Sequence, residues 1–185
     1  MMHRVFIAIN LPESVRQELA SAKGRWPELP AKWAKQENLH LTLVFHGNAS
    51  DQELEEIKQN AKAIAGKHKP FSLKLSKIVY GPTGKNPKMI WAIGPESKEL
   101  LMLQKDLSKS LLGDSVPKLE TEQDFSLHIT LGRLKEFEFS RIDLEERPEI
   151  NEQIDIEIPV SSVDIMESKL RRSGAEYSVI ENCKL

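Results

Sequence analysis

His40-Leu41-Thr42-Leu43 and His128-Ile129-Thr130-Leu131 are one tetrad written twice, far apart in the same chain. Each sits in a short apolar run free of Pro and Gly, residues 39–45 and 125–131, and the alternation in both runs predicts β-strands. Successive strand side chains point to opposite faces, so His and Thr two residues apart share one face, roughly 6.6 Å apart, while the residues between them face a core. Each strand thus presents an imidazole beside a hydroxyl. A single His on an amphipathic strand is ordinarily a hydrogen-bonded structural residue. The chain has only five histidines, and a matched pair of this kind points to function.

Outward from these strands, Arg4-Val5-Phe6-Ile7-Ala8-Ile9-Asn10 reads as a strand buried on both sides. Pro12 opens a helix whose stripe is Val15, Leu19 and Ala22, stopped by Gly24 and Pro27. Residues 28–38 read as a connection around Trp33. Gly47-Asn48 is expected to end the first His strand, and Ser50 to cap a helix over 51–65 with Leu54, Ile57, Ala61 and Ile64 on one face. Residues 71–80 and 89–93 read as paired strands about the turn at 81–87. Ser97 begins a helix striped by Leu100, Leu103, Leu107 and Leu111 and ended by Gly113. A polar loop, 114–124, leads to the second His strand, and 136–151 reads as short helix or loop. Beyond it, residues 154–166 fit two strands or one bulged strand, and a turn at 171–174 precedes a last strand over 175–180. The expected fold class is α+β: two pseudo-symmetric lobes, each a mainly antiparallel sheet with helices on its outer face, around a central cleft. One two-lobed domain over residues 1–185 is expected, because no linker divides the halves.

Composition narrows the function. Apolar residues make up 39% and charged residues 29% of the chain, as in an ordinary globular protein. A net charge of −2 supplies no global field for nucleic acid, so any phosphate site must be local. Cys183 stands alone, which rules out an internal disulfide framework and argues against cysteine-based zinc. The N-terminal stretch lacks the features of a signal peptide, and no apolar run approaches membrane-spanning length, so a cytoplasmic monomer without membrane association is expected.

Two histidines, each with a neighbouring hydroxyl, suit general acid and base catalysis. Imidazole titrates near pH 6.5, so one copy can accept a proton while the other donates one. Such a pair fits an in-line displacement at phosphorus, with the threonine hydroxyls donating to the non-bridging oxygens. No metal or other cofactor is required. A cyclic phosphodiester, in which one ribose hydroxyl is already the leaving group, is a natural substrate.

The paired His-x-Thr-x motifs resemble the two-histidine phosphoesterase superfamily, and the chain is similar to its bacterial RNA 2′,3′-cyclic phosphodiesterase branch, historically labelled 2′-5′ RNA ligase. The resemblance is carried by Arg4-Val5-Phe6-Ile7-Ala8-Ile9, by residues 33–47 and 127–134, and by Ser168-Lys169-Leu170 with Gly174-Ala175-Glu176-Tyr177. It implies hydrolysis of RNA 2′,3′-cyclic phosphate ends to 2′-phosphomonoesters. By that resemblance His40 protonates the departing 3′ oxygen, His128 takes a proton from water, and Thr42 and Thr130 hold the phosphate. A 5′-hydroxyl in place of water would give a 2′-5′ linkage. Arg133 is the phosphate-binding cation by the same analogy and by its position, a solvated strand-end arginine being the alternative. The expected partner is RNA with a 2′,3′-cyclic phosphate end, or a small cyclic nucleotide. A second reading is a non-catalytic RNA-end or nucleotide-binding module using the same cleft.

The chain departs from the family pattern at Leu127, where proline is common, and at His46, where Phe-Leu-Gly is common. His46 shares the strand parity of His40, which would let it approach the cleft mouth, but a surface or loop role is the expectation. Lys169, Arg171 and Arg172 form a basic turn that is either solvated or an RNA contact. His3 and His68 lack companions and are expected at the surface. Trp26, Trp33 and Trp91 divide between core and base stacking. A metal site of His40, His46 and His128 would lack a carboxylate at ligand spacing.

Overall fold

The computed structural model describes residues 1–82, 84, 86–113, 125–172 and 174–185. The loop expected over 114–124 falls outside them, as do two positions of the turn expected over 81–87. Strand β1 (Met2–Asn10) is buried on both sides from Val5 to Ile9, as the sequence predicts. Helix α1 (Glu13–Ser21) follows Pro12 and buries Val15 and Leu19. Ser50 opens helix α2 (Asp51–Ala65) with a reciprocal cap: its hydroxyl accepts the Glu53 N–H at 3.3 Å, and its own N–H donates to the Glu53 carboxylate at 2.7 Å. Ser97 caps helix α3 (Lys98–Leu112) in the same sense, accepting the Leu100 N–H at 3.2 Å. The open segment beyond residue 136 forms helix α4 (Glu136–Ser140).

The remaining strands depart from expectation in informative places. A three-residue strand, β2 (Ala31–Trp33), lies in what reads as a connection. Strand β3 (His40–Ser50) continues through Gly47, whose φ of 92° carries the chain through a distortion instead of ending it. Strands β4 (Phe71–Gly81) and β5 (Met89–Ile93) pair as expected. Strand β6 (His128–Leu134) begins at the histidine itself and runs past Arg133. Residues 154–166 divide between β7 (Asn151–Val160) and β8 (Ser162–Arg171), and β9 (Gly174–Lys184) closes the chain.

Among the described residues the strands form two antiparallel sheets, one ordered β3-β1-β8-β9 and the other β2-β6-β5-β4-β7. These are not two consecutive copies of one unit. Strand β2, from the first half of the sequence, pairs with β6, while β8 and β9, from the second half, complete the sheet of β1 and β3. Helix α2 packs on all four strands of that sheet, and α3 packs on α2 and β3. Leu41, Leu43, Ile129 and Leu131 all belong to the main core. On the opposite face of β1 a small separate cluster forms from Phe6, Ala8 and Met166, with Tyr177 packed against it.

The two His strands repeat each other in register. Thr42 pairs with Ala8 and Val44 with Ile7, leaving Leu43 as an extra residue; Thr130 pairs with Trp91 and Gly132 with Ile90, leaving Leu131 extra. Each extra residue is a β-bulge, and a bulge frees a backbone carbonyl that must find another donor. Leu43 O accepts from the buried Gln104 side chain at 3.4 Å, and Leu131 O accepts the Ala34 N–H at 2.8 Å. One carbonyl is satisfied from α3 and the other from the end of β2. No helix of the described residues is long and apolar enough to cross a membrane.

Candidate active site

Bulging reverses side-chain parity downstream, and this decides which residues reach the cleft. After Thr42 the next cleft-facing residue of β3 is Phe45, and after Thr130 the next lining residue with a functional side chain on β6 is Arg133. His40, Thr42, Phe45, His128, Thr130 and Arg133 line one cavity of about 320 Å³. Strict alternation would have turned Arg133 away and brought His46 in. Instead His46 is the extra residue of a second bulge, between the pairs Val5–Gly47 and Phe6–Phe45. It does not line the cavity. The structure therefore keeps His46 away from the cleft mouth, in line with the expectation that it has no part there.

Both imidazoles are anchored alike. His40 Nδ1–H donates to the Asn38 carbonyl at 2.7 Å and His128 Nδ1–H to the Ser126 carbonyl at 3.0 Å. Carbonyls only accept, so Nδ1 carries the proton in each neutral ring and Nε2 is left to exchange protons. His40 Nε2 lies 3.0 Å from Thr42 Oγ1. Burial pushes both histidines below their ordinary value, opposed by the hydrogen bonds to the two carbonyls. Both rings are consequently held neutral near pH 7 in the free protein.

Their surroundings differ. The His40 ring lies 5.1 Å from Phe6 and meets Tyr177 edge-on at 5.2 Å. The His128 ring stacks at 4.3 Å and 30° on the indole of Trp91. Trp91 is itself pressed against Gly81, where a Cβ would stand 2.1 Å from the indole, so only glycine fits beneath it. The indole Nε1 is buried without a hydrogen-bond partner among the described residues.

Sequence reasoning missed the other wall. Lys32, Trp33, Lys35 and Asn38 bring β2 and the following turn to the cavity, and Phe6, Gly174, Ala175 and Tyr177 bring the opposite sheet. Trp33 stacks on Trp26 at 6.5 Å and lies over Gly132. No carboxylate lines the cavity among the described residues, whereas Lys32, Lys35 and Arg133 do. A chain of slightly negative charge thus builds a locally cationic cleft, suited to an anion flanked by two imidazoles and two hydroxyls. The basic turn takes no part: Lys169 pairs with Glu167 at 3.0 Å and Arg171 with Glu176 at 3.2 Å, and neither they nor Arg172 line the cavity.

Two further expectations are corrected. His3 is not without companions, because Glu167 lies 2.7 Å from Nδ1 and Asp51 3.0 Å from Nε2, and these carboxylates hold its pKa above the ordinary value. His68 likewise meets Asp106 at 3.0 Å. All three carboxylates are distant in sequence from the histidine they meet, which no local pattern reveals. Among the described residues no group of three metal-ligating side chains is assembled.

Comparison with known proteins agrees with the architecture. A model of the family described as LigT like phosphoesterase matches residues 9–91 and 93–177. The chain is similar to a protein of Methanocaldococcus jannaschii named RNA 2′,3′-cyclic phosphodiesterase, 28% identical over 179 residues that cover 96% of this chain and 98% of that one. A protein of Thermotoga maritima with the same name is 29% identical, covering 98% of this chain and 95% of its own length. Among solved structures, TT0787 of Thermus thermophilus superposes with a TM-score of 0.82 at 28% identity, covering 98% of this chain and 97% of that one.

Proposed function

The chain belongs to the LigT-like phosphoesterase family, and from that membership and the cleft we propose that it hydrolyses RNA 2′,3′-cyclic phosphate ends to 2′-phosphomonoesters. The two lobes act as one domain, and the reaction uses no metal. The observation that carries this reading is the pair of imidazoles, each fixed through Nδ1 to a carbonyl and each leaving Nε2 to work in a shared cavity.

In the proposed reaction neutral His128 takes a proton from water as the oxygen attacks phosphorus. The bond from phosphorus to O3′ breaks on the opposite side, and charged His40 gives its Nε2 proton to that oxygen. Thr42 and Thr130 donate to the non-bridging oxygens, and Arg133 supplies positive charge at the cavity wall. Assignment of acid and base follows the family resemblance. The anionic substrate itself raises both imidazole pKa values, which offsets the burial that keeps them neutral beforehand. When a 5′-hydroxyl replaces water, the same proton transfers give a 2′-5′ linkage.

The direct test is a product assay on an oligoribonucleotide ending in 2′,3′-cyclic phosphate, with a chelator present, resolving 2′- from 3′-phosphate. A 2′-phosphate product is expected. Tight binding without turnover would instead establish a binding module, and loss of turnover with the chelator would overturn metal independence.

A further inference from the structure

Asn38 is the last residue of a single turn, Gln36–Asn38, that joins β2 to β3 and buries none of its side chains. Without apolar packing, the turn is held by polar ties. Gln36 reaches Glu13 of α1 at 2.6 Å, an exposed contact where water competes. Asn38 makes a half-buried one, its Nδ2 donating to the Ala175 carbonyl at 3.0 Å. That bond spans the first sheet: β3 and β9 are its outer strands, yet the residue two before His40 is tied to the start of β9. Two residues further along β9, Tyr177 meets the His40 ring.

Asn38 thus acts at both ends. Its carbonyl accepts the His40 Nδ1–H at 2.7 Å, and its side chain fixes where that carbonyl stands. Ser126 has the same offset from His128 but is exposed, and its hydroxyl lies 3.5 Å from Nδ1 of that ring instead of reaching across the cleft. We propose that the Asn38 side chain is a positioning residue for His40: by bonding to Ala175 it holds the carbonyl that aims the ring, so that Nε2 faces the departing oxygen. The kinetic consequence rests on the proposed phosphodiesterase activity; the ring geometry does not. Because the Nδ1 bond favours the charged ring against burial, a slack carbonyl would lower the His40 pKa. The other titratable or charged side chains lining the cavity among the described residues are His128, Tyr177, Lys32, Lys35 and Arg133, and a change at Asn38 alters none of them.

Asn38→Ala should lower kcat on a nucleoside 2′,3′-cyclic phosphate about tenfold, with KM held within about twofold. Followed by ring proton resonances, the His40 titration should fall by about half a pH unit. Ring nitrogen chemical shifts should show the Nδ1–H tautomer of His40 giving way to a mixture, with His128 unmoved by either measure. Asn38→Ser, whose hydroxyl is one bond too short to reach Ala175, should do the same and serves if the alanine variant fails to fold. A KM that rises while kcat holds would make Asn38 a ligand of the substrate and overturn the positioning role. So would a lowered melting temperature with the His40 titration and tautomer unchanged, or two histidines that move together. If wild-type protein turns over no cyclic phosphate, the reaction reading fails, and titration and tautomer alone decide whether Asn38 aims the ring.

Discussion

Strands β3 and β6 match from histidine to bulge and then part company. The matched portion fixes chemistry: same offset, same extra residue, same Nδ1 anchor to a carbonyl two residues upstream. What stands opposite differs, Ala8 and Phe6 on β1 against Trp91 and Met89 on β5, and so does the residue that follows the bulge, Phe45 against Arg133. The first sheet therefore lines the cavity with Phe6, Phe45 and Tyr177, and the second adds the cations Lys32 and Arg133 beside Trp33. In the proposed reaction the duplicated backbone gives equivalent proton-transfer groups, and unlike neighbours give the cleft a direction. A symmetric phosphate between symmetric imidazoles could bind either way round; these walls favour one.

The comparison breaks at once if the imidazoles are unequal in need. His40→Ala and His128→Ala should each lower kcat by about 10²–10⁴ while leaving the circular dichroism spectrum and melting behaviour near wild type. Near-normal turnover in either variant would sink the paired mechanism. Next in size, Thr42→Val and Thr130→Val should each cost about 10²–10³ in kcat as phosphate donors. Only Thr42→Val should also alter the shape of the pH profile, since only Thr42 touches its histidine.

A smaller effect separates the ring neighbours. Trp91→Leu removes the indole stacked on His128 and with it cation–π support for the charged ring, worth on the order of 1 kcal/mol. The His128 titration, followed by its ring proton resonances, should move to lower pH, whereas Tyr177→Phe keeps its ring edge and should leave His40 nearly unmoved. Equal behaviour in both variants would erase the asymmetry. In the wild type, burial lowers both pKa values, so the bell-shaped profile of kcat/KM should be centred below about pH 6.5.

The smallest effect sets these histidines against His3. For His40 and His128 the folded pKa lies below the unfolded one, so unfolded chains bind more protons and stability is lost as pH falls below about 6.5. His3 is raised by Asp51 and Glu167, so its contribution is present below the unfolded value and disappears as pH rises through the folded one. His3→Gln should lower the melting temperature more at about pH 6 than at about pH 9.

Periodicity makes much of this molecule legible. Helices α2 and α3, their serine caps and the identity of the paired motifs all follow from local pattern, because capping and amphipathic spacing are short-range. Bulges are not short-range in that sense. Leu43 looks like any strand leucine until β1 is paired against it, and the parity of His46 and Arg133 turns on that pairing. Strand β2 is too short to show alternation, so Lys32 and Trp33 carry no signal beyond two cations around a tryptophan. The exchange of β2 against β8 and β9 is equally hidden, since the partners of a strand are not written in the strand. The ion pairs of His3 and His68 escape a sequence reading for the same reason.

That exchange constrains how the molecule is made. Val5 pairs with Glu167 and Ala8 with Asp164, so the middle of the first sheet gains its second neighbour only after more than 150 further residues have been added to the growing chain. Until then the buried edge of β1 is open to whatever else the cell offers, and a chaperone that shields it would find its work concentrated on the nascent chain.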